Sequence, residues 1–254
     1  MFHLSQTHLN LLQTCPPKFQ QSYLEQASSL PNLETESKQT WGSRFHLLMQ
    51  QRELGLPIAP LLKEDAELES SLNALIQAAP ELLLHNNPYQ TREAEHSRTI
   101  SYGNYLLTVI YDLLVAAKNQ AKIIDWKTYL KPPKKQKLAN NWQTRLYLYV
   151  LAETSEYLPE QISMTYWFVK LPQKPQSLTF SYSQKQHQKN EADLNLLLSN
   201  LDIWLSNYPH TDFPHRRDCQ TNCYYYPEFL DSDQADQAEF DLLQEINSIE
   251  EISI

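Results

Sequence analysis

The sequence predicts an α/β protein, a central mixed sheet flanked by helices behind a helical N-terminal region. Three observations point there. Helical apolar spacing marks the first part of the chain, as in TWGSRFHLLMQQREL, with Trp41, Phe45, Leu48 and Met49 on one stripe. The period then changes to β-branched and aromatic runs, YLLTVIYDLLV (105–115) and KIIDWKT (122–128). A helix, two more strands and a long helix follow, an alternation that builds layered α/β structure.

Taken in order, residues 5–27 read as a helix interrupted near Cys15-Pro16-Pro17, where proline removes backbone donors. Helices are expected over 40–54 and over 62–79, the second closed by Pro80. Between the two strand runs, AAKNQA predicts a hairpin, with Asn119 suited to the turn. NWQTRLYLYVLAE (141–153) predicts a helix whose apolar stripe is Trp142, Leu146, Tyr149 and Val150. SMTYWFVK and SLTFSYS are strand candidates, and a long helix runs from about 184 to 207. The expected organisation is a single domain over 1–230 and an acidic tail over 231–254. Within the domain, the helical part runs to about 90, the sheet core from about 91 to 183, and a closing helix with a cysteine segment from 184 to 230.

Composition bounds the partners. A chain of 254 residues, 41% hydrophobic, can bury a full core. No apolar run approaches the ~20 residues of a membrane span. The start, MFHLSQTHLN, lacks a basic flank and apolar core, so no secretory signal is expected. Three cysteines are an odd number for a disulfide framework, which favours a reducing, cytoplasmic setting. Only three glycines exclude a glycine-rich phosphate loop. The net charge of −9 is uneven: nine acids and no Lys or Arg lie from Glu228 onward, leaving 21 acids and 21 bases before it. Residues 118–145 concentrate eight bases (Lys118, Lys122, Lys127, Lys131, Lys134, Lys135, Lys137 and Arg145) against one acid, Asp125. Such a run is most often a solvated face, but this one surrounds an unusual strand.

That strand, AKIIDWKTYL, places Asp125 and Lys127 two positions apart and so on one face. A half-exposed ion pair would explain them. A hairpin folded about Lys118-Asn119, however, sets Asp112 opposite Asp125, and two facing carboxylates repel. A divalent cation would offset that repulsion. Without one, Asp125→Asn is expected to stabilise the protein slightly.

These residues resemble the PD-(D/E)XK nuclease superfamily in its RecB-like branch. Its pattern of a strand acid followed by Asp/Glu-X-Lys matches Asp112 and Asp125-Trp126-Lys127. Its helical histidine, often after a glycine, matches His46 four positions after Gly42, and its Gln-x-x-x-Tyr matches Gln143 and Tyr147, off the apolar stripe. A further acid of that pattern is Glu93 or Glu95. The glycine that often precedes the first acid is absent from TVIYD. Some RecB-like nucleases hold an iron–sulfur cluster with one early and three late cysteines. Here Cys15, Cys219 and Cys223 stand in those regions and one thiolate is missing, with His215 or Asp218 the only conceivable substitutes. A [4Fe–4S] cluster is therefore not expected to form stably.

The resemblance implies a metal-dependent DNA nuclease with a hairpin at its core, exonuclease-like and not sequence-specific. His46, Asp112, Asp125 and the backbone carbonyl of Trp126 would hold Mg²⁺ or Mn²⁺. Asp112, Asp125 and Lys127 would be catalytic, Gln143 and Tyr147 would position the strand, and lysines near the motif would hold phosphates. It also implies a helicase or a recombination- or CRISPR-type partner protein. The alternatives are a catalytically silent nuclease fold that binds nucleic acid or acts as a scaffold, and a hydrolase of small phosphoesters.

Overall fold

The computed structural model describes residues 2–25, 33–83, 91–129, 132–171 and 174–216, with the backbone alone over 33–40. The chain divides into two compact units, Met1–His3 with Asn32–Asn190, and Leu4–Pro31 with Glu191–Ile254.

The larger unit is built on a six-stranded mixed sheet ordered β1-β3-β4-β5-β6, with β2 also pairing β3. Strands β2 (Thr91–Tyr102) and β3 (Tyr105–Ala117) form one hairpin. Gly103 turns it with φ +57°, a left-handed conformation that favours glycine. Strand β4 (Gln120–Lys127) returns from β3 across the two-residue turn Lys118-Asn119. The register, Leu113↔Ile124 through Ala117↔Gln120, is the one the turn predicts. Helices α7 (Lys135–Asn140) and α8 (Trp142–Glu153) then carry the chain to β5 (Ile162–Phe168), which pairs parallel to β4. That crossover is what a parallel neighbour requires. Strand β6 (Gln176–Ser181) closes the edge antiparallel to β5.

Helices α3 (Leu33–Glu53), α5 (Ala66–Ala78) and α6 (Pro80–Leu83) cover one apolar surface. Phe45, Leu48, Leu68, Leu72 and Leu82 meet Leu113, Val115, Ile124 and Trp126 of the sheet there. Each such side chain contributes about 1.5–3 kcal/mol by leaving water, so this cluster anchors α3 against the strands. Helix α8 packs elsewhere on the sheet. The Tyr111 hydroxyl donates to the Tyr147 carbonyl at 3.1 Å, and Thr144 and Tyr166 share a hydroxyl bond of 2.7 Å.

Several expectations are corrected. The helix expected over 62–79 is two, α4 (Ala59–Glu64) and α5. Asp65 breaks them apart because its side chain caps α5, accepting from Glu67 N at 3.0 Å and Leu68 N at 3.1 Å. Helix α3 begins seven residues before the expected 40. Tyr147 is buried at 4% exposure rather than lying off the apolar face, because α8 is enclosed on most sides. Two strands, β1 (Phe2–Leu4) and β2, have no apolar alternation to announce them.

In the smaller unit, α1 (Gln6–Thr14) and α2 (Pro16–Phe19) break at buried Cys15, and a π turn follows over Gln20–Leu24. Gln20 holds this turn to a later segment: its amide donates to Asp212 at 2.8 Å and its carbonyl accepts from Phe213 N at 2.6 Å. Helix α9 (Gln184–Asn207) supplies Trp204, whose ring lies 5.4 Å from that of Phe213. Asp218, Cys219, Cys223 and the acidic tail lie outside the described residues. No helix among the described residues is long and apolar enough to cross a membrane.

Candidate active site

The site forms where β2, β3 and β4 run side by side under α3. The β2–β3 ladder pairs Ala94 with Leu113 and His96 with Tyr111, and skips the step between them. Glu95 and Asp112 occupy that step, and Glu95 takes φ +50°. A non-glycine residue held there costs about 1–3 kcal/mol and marks places where structure is set by something other than local preference. Tyr111 bonds α8, whereas Leu113 belongs to the cluster under α3. In a regular strand two such residues would share a side, so β3 rotates at Asp112. Glu95 and Asp112 thus face each other at the skipped step, and Asp125 of β4 lies one residue beyond the last β3–β4 pair, Leu113↔Ile124.

His46, on α3, reaches this step. Donor atoms of His46, Glu95 and Asp112 all lie within 4.8 Å of one another. His46 Nδ1 is 3.4 Å from Asp112 Oδ2, yet it is buried and makes no hydrogen bond. Asp112 instead accepts from the Trp126 backbone N–H at 2.7 Å. The sequence left Glu93 and Glu95 as equal candidates. The structure puts Glu95 in the cluster and pairs Glu93 with His96.

Beside this cluster lies a second, differently built pocket. Asp125 and Lys127 are buried at 1% and 4% exposure, with Nζ 2.8 Å from Oδ1. Gln143, at the start of α8, donates to Asp125 Oδ2 at 2.7 Å and is bonded to the Tyr147 hydroxyl. Asn141 caps α8 by accepting from Gln143 N at 2.8 Å, which fixes where Gln143 points. The Lys127 ammonium also sits 5.4 Å above the Tyr166 ring. So Asp125 and Lys127 do form an ion pair, and it is buried rather than on the surface.

Burial and neighbouring charge set the titration of these groups. Burial opposes charge on His46, but Asp112 outweighs it and lifts the imidazole to about 9. Burial, with Asp112 and Asp125 adding, raises Glu95 to about 7. Burial and Asp112 raise Asp125 to about 6 against the pull of Lys127. Asp112 itself falls below the usual carboxylate range, since His46, Lys127 and the Trp126 N–H overcome its burial. The metal-free site at neutral pH thus balances its acids with His46 and Lys127.

A divalent cation suits the first cluster. Carboxylate oxygens and an imidazole nitrogen converge there, and His46 Nδ1 is buried beside Asp112 without a well-formed hydrogen bond. Asp125 Oδ1 likewise has no aligned hydrogen bond despite the nearby ammonium.

Alternating strands, a carboxylate cluster and an Asp-X-Lys step define a class of phosphodiester-cutting folds. The family profile of the PD-(D/E)XK nuclease superfamily matches residues 3–227, and the chain belongs to that superfamily. Among solved structures, a candidate exonuclease from Eubacterium rectale is similar over 87% of this chain and 86% of its own, at 9% identity and a TM-score of 0.51. The structure of SSO0001 is similar over 83% and 80%, at 14% identity and a TM-score of 0.40. No curated protein matches the sequence. The superfamily's nucleases use divalent metals, consistent with the donor set found here.

Proposed function

We propose that this protein is a Mg²⁺- or Mn²⁺-dependent nuclease that hydrolyses DNA phosphodiesters from strand ends without reading sequence. The observation that supports this best is the cluster of His46, Glu95 and Asp112, together with the buried Asp125–Lys127 pair of the neighbouring strand. His46, Glu95 and Asp112 would hold the cation, with Asp125 and the Trp126 carbonyl completing the set. A cation held there would supply Lewis-acid polarisation of the scissile phosphate and a more acidic water. Lys127, kept charged by Asp125, stabilises negative charge developing on the phosphoryl oxygens. Gln143 fixes the Asp125 carboxylate and so the direction of Lys127, with Tyr147 one turn along the same helix. The similarity to a candidate exonuclease favours end-directed cleavage. The partner protein that the resemblance implies, a helicase or a recombination- or CRISPR-type protein, belongs to the same reading.

The test is a metal-titrated assay on end-labelled linear and closed circular DNA, single- and double-stranded. Loss of linear substrates in Mn²⁺ or Mg²⁺, with circles spared and EDTA silent, is expected. Intact linear DNA at all metal concentrations would instead favour a silent nuclease fold.

A further inference from the structure

The basic run that the sequence offers as one patch is divided by the fold. Lys118 lies in the β3–β4 turn, and Lys122 is five residues before Lys127 on β4. At 3.3 Å per residue, Lys122 is roughly 17 Å from Lys127 along the strand, and the turn is farther still. These lysines occupy the end of β4 opposite the site. The second half of the run, Lys134, Lys135 and Lys137, begins α7, and all three are exposed.

Three observations tie α7 to the site. Pro132 and Pro133 stiffen the approach to it. The Thr144 hydroxyl donates to the Leu138 carbonyl at 2.6 Å and also bonds the Tyr166 hydroxyl, so α7, α8 and β5 share one hub. Finally, two aromatic rings bridge the ammonium groups of Lys127 and Lys135. Lys127 sits 5.4 Å from the Tyr166 ring, Tyr166 meets Phe180 edge-on at 5.9 Å, and Lys135 sits 5.7 Å from the Phe180 ring. Through these rings the exposed Lys135 is packed onto the same aromatic pair that carries the buried Lys127.

We infer that Lys134, Lys135 and Lys137 on α7 form the surface that takes the phosphates of the substrate strand flanking the scissile bond, and that Lys118 and Lys122 do not. This rests on the nuclease reading, because a polyphosphate backbone is the partner that a cationic shelf beside such a site complements. Recognition of this kind reads charge spacing and not bases. Among the described residues no glycine-rich loop competes for that role.

The experiment measures DNA binding by the full chain in EDTA, so that nothing is cut, with a fluorescent single strand and a duplex across a salt series. The variants are Lys134→Gln/Lys135→Gln/Lys137→Gln and, separately, Lys118→Gln/Lys122→Gln. Four of the five changes are at exposed positions and Lys122 is half-buried, so thermal melts check that both variants fold. Each lost phosphate contact lowers the slope of log K against log salt by about 0.7–0.9. The α7 variant should therefore lose a slope of about 2, and affinity should fall at least about tenfold at low salt. The turn variant should keep the parent slope. Equal slopes in the parent and the α7 variant, or a loss confined to the turn variant, would overturn the inference. A parent that binds neither DNA nor RNA would instead remove the nucleic-acid reading, and this surface with it.

Discussion

The two halves of the site are built on opposite plans. Around Asp125, the charges are paired at short range: Lys127 at 2.8 Å, Gln143 at 2.7 Å, and almost no exposure. Around Asp112, a histidine nitrogen is buried without a hydrogen bond, a carboxyl is raised to about 7, and a non-glycine residue is held at φ +50°. The first half is organised before any metal arrives. The second holds unmet donors and strain, which a cation would resolve. On the proposed reading, such a division would fix Lys127 through folding alone and leave affinity for the metal to the other half.

The comparison can be broken most directly at Asp125. Asp125→Asn leaves the Lys127 ammonium buried without its counter-charge, a change that typically costs about 3–5 kcal/mol. Chemical denaturation of metal-free protein should show that loss. This reverses the sign expected from the sequence, where two facing carboxylates implied a small gain. Stability equal to the parent would mean that repulsion from Asp112 dominates after all.

A smaller effect is expected at Gln143, which makes one hydrogen bond to a charged carboxylate. Gln143→Ala should cost about 1.5–3 kcal/mol, again seen without metal. If the partnered half is as fixed as its contacts suggest, adding Mn²⁺ should recover little of this loss.

In the strained half the sign inverts. Glu95→Gly removes both a half-buried carboxyl and the backbone strain, so the metal-free protein should gain about 1 kcal/mol. The same variant should bind Mn²⁺ far more weakly. Destabilisation by Glu95→Gly would show that Glu95 is a structural residue.

The pH dependence is the finest discriminator. Glu95 has a folded value raised to about 7, so its ionisation works against the fold, and stability falls as pH rises through that range. His46, raised to about 9, contributes stability that is fully present below its ordinary value near 6.5 and lost as pH passes about 9. Metal ligands must shed these protons. The gain in melting temperature from saturating Mn²⁺ should therefore grow from pH 6 to pH 8. A gain independent of pH would place the metal elsewhere.

How much of this was legible in the sequence depended on what local pattern can encode. The β3–β4 register followed from the two-residue turn, and its ladder runs from Ala117↔Gln120 to Leu113↔Ile124, one step short of Asp112 and Asp125. Strand β2, TREAEHSRTISY, is polar throughout because it lies at the sheet's edge, and no period marked it. Glu95 was consequently indistinguishable from Glu93. Its left-handed backbone and the rotation of β3 at Asp112 are tertiary facts that no residue type announces. The burial of Tyr147 was hidden for a related reason: a helix enclosed on several sides has no polar face for periodicity to find. The burial of the Asp125–Lys127 pair was likewise invisible, since spacing fixes which face two residues share but not what covers it.

The central claim is that His46, Glu95 and Asp112 take a divalent cation, and calorimetric titration of Mn²⁺ into metal-free protein at pH 7.5 tests it most directly. The account predicts a single site with proton release, abolished in Asp112→Asn and strongly weakened in Glu95→Gln. Undiminished binding by the Asp112→Asn variant, or no binding by the parent, would contradict it.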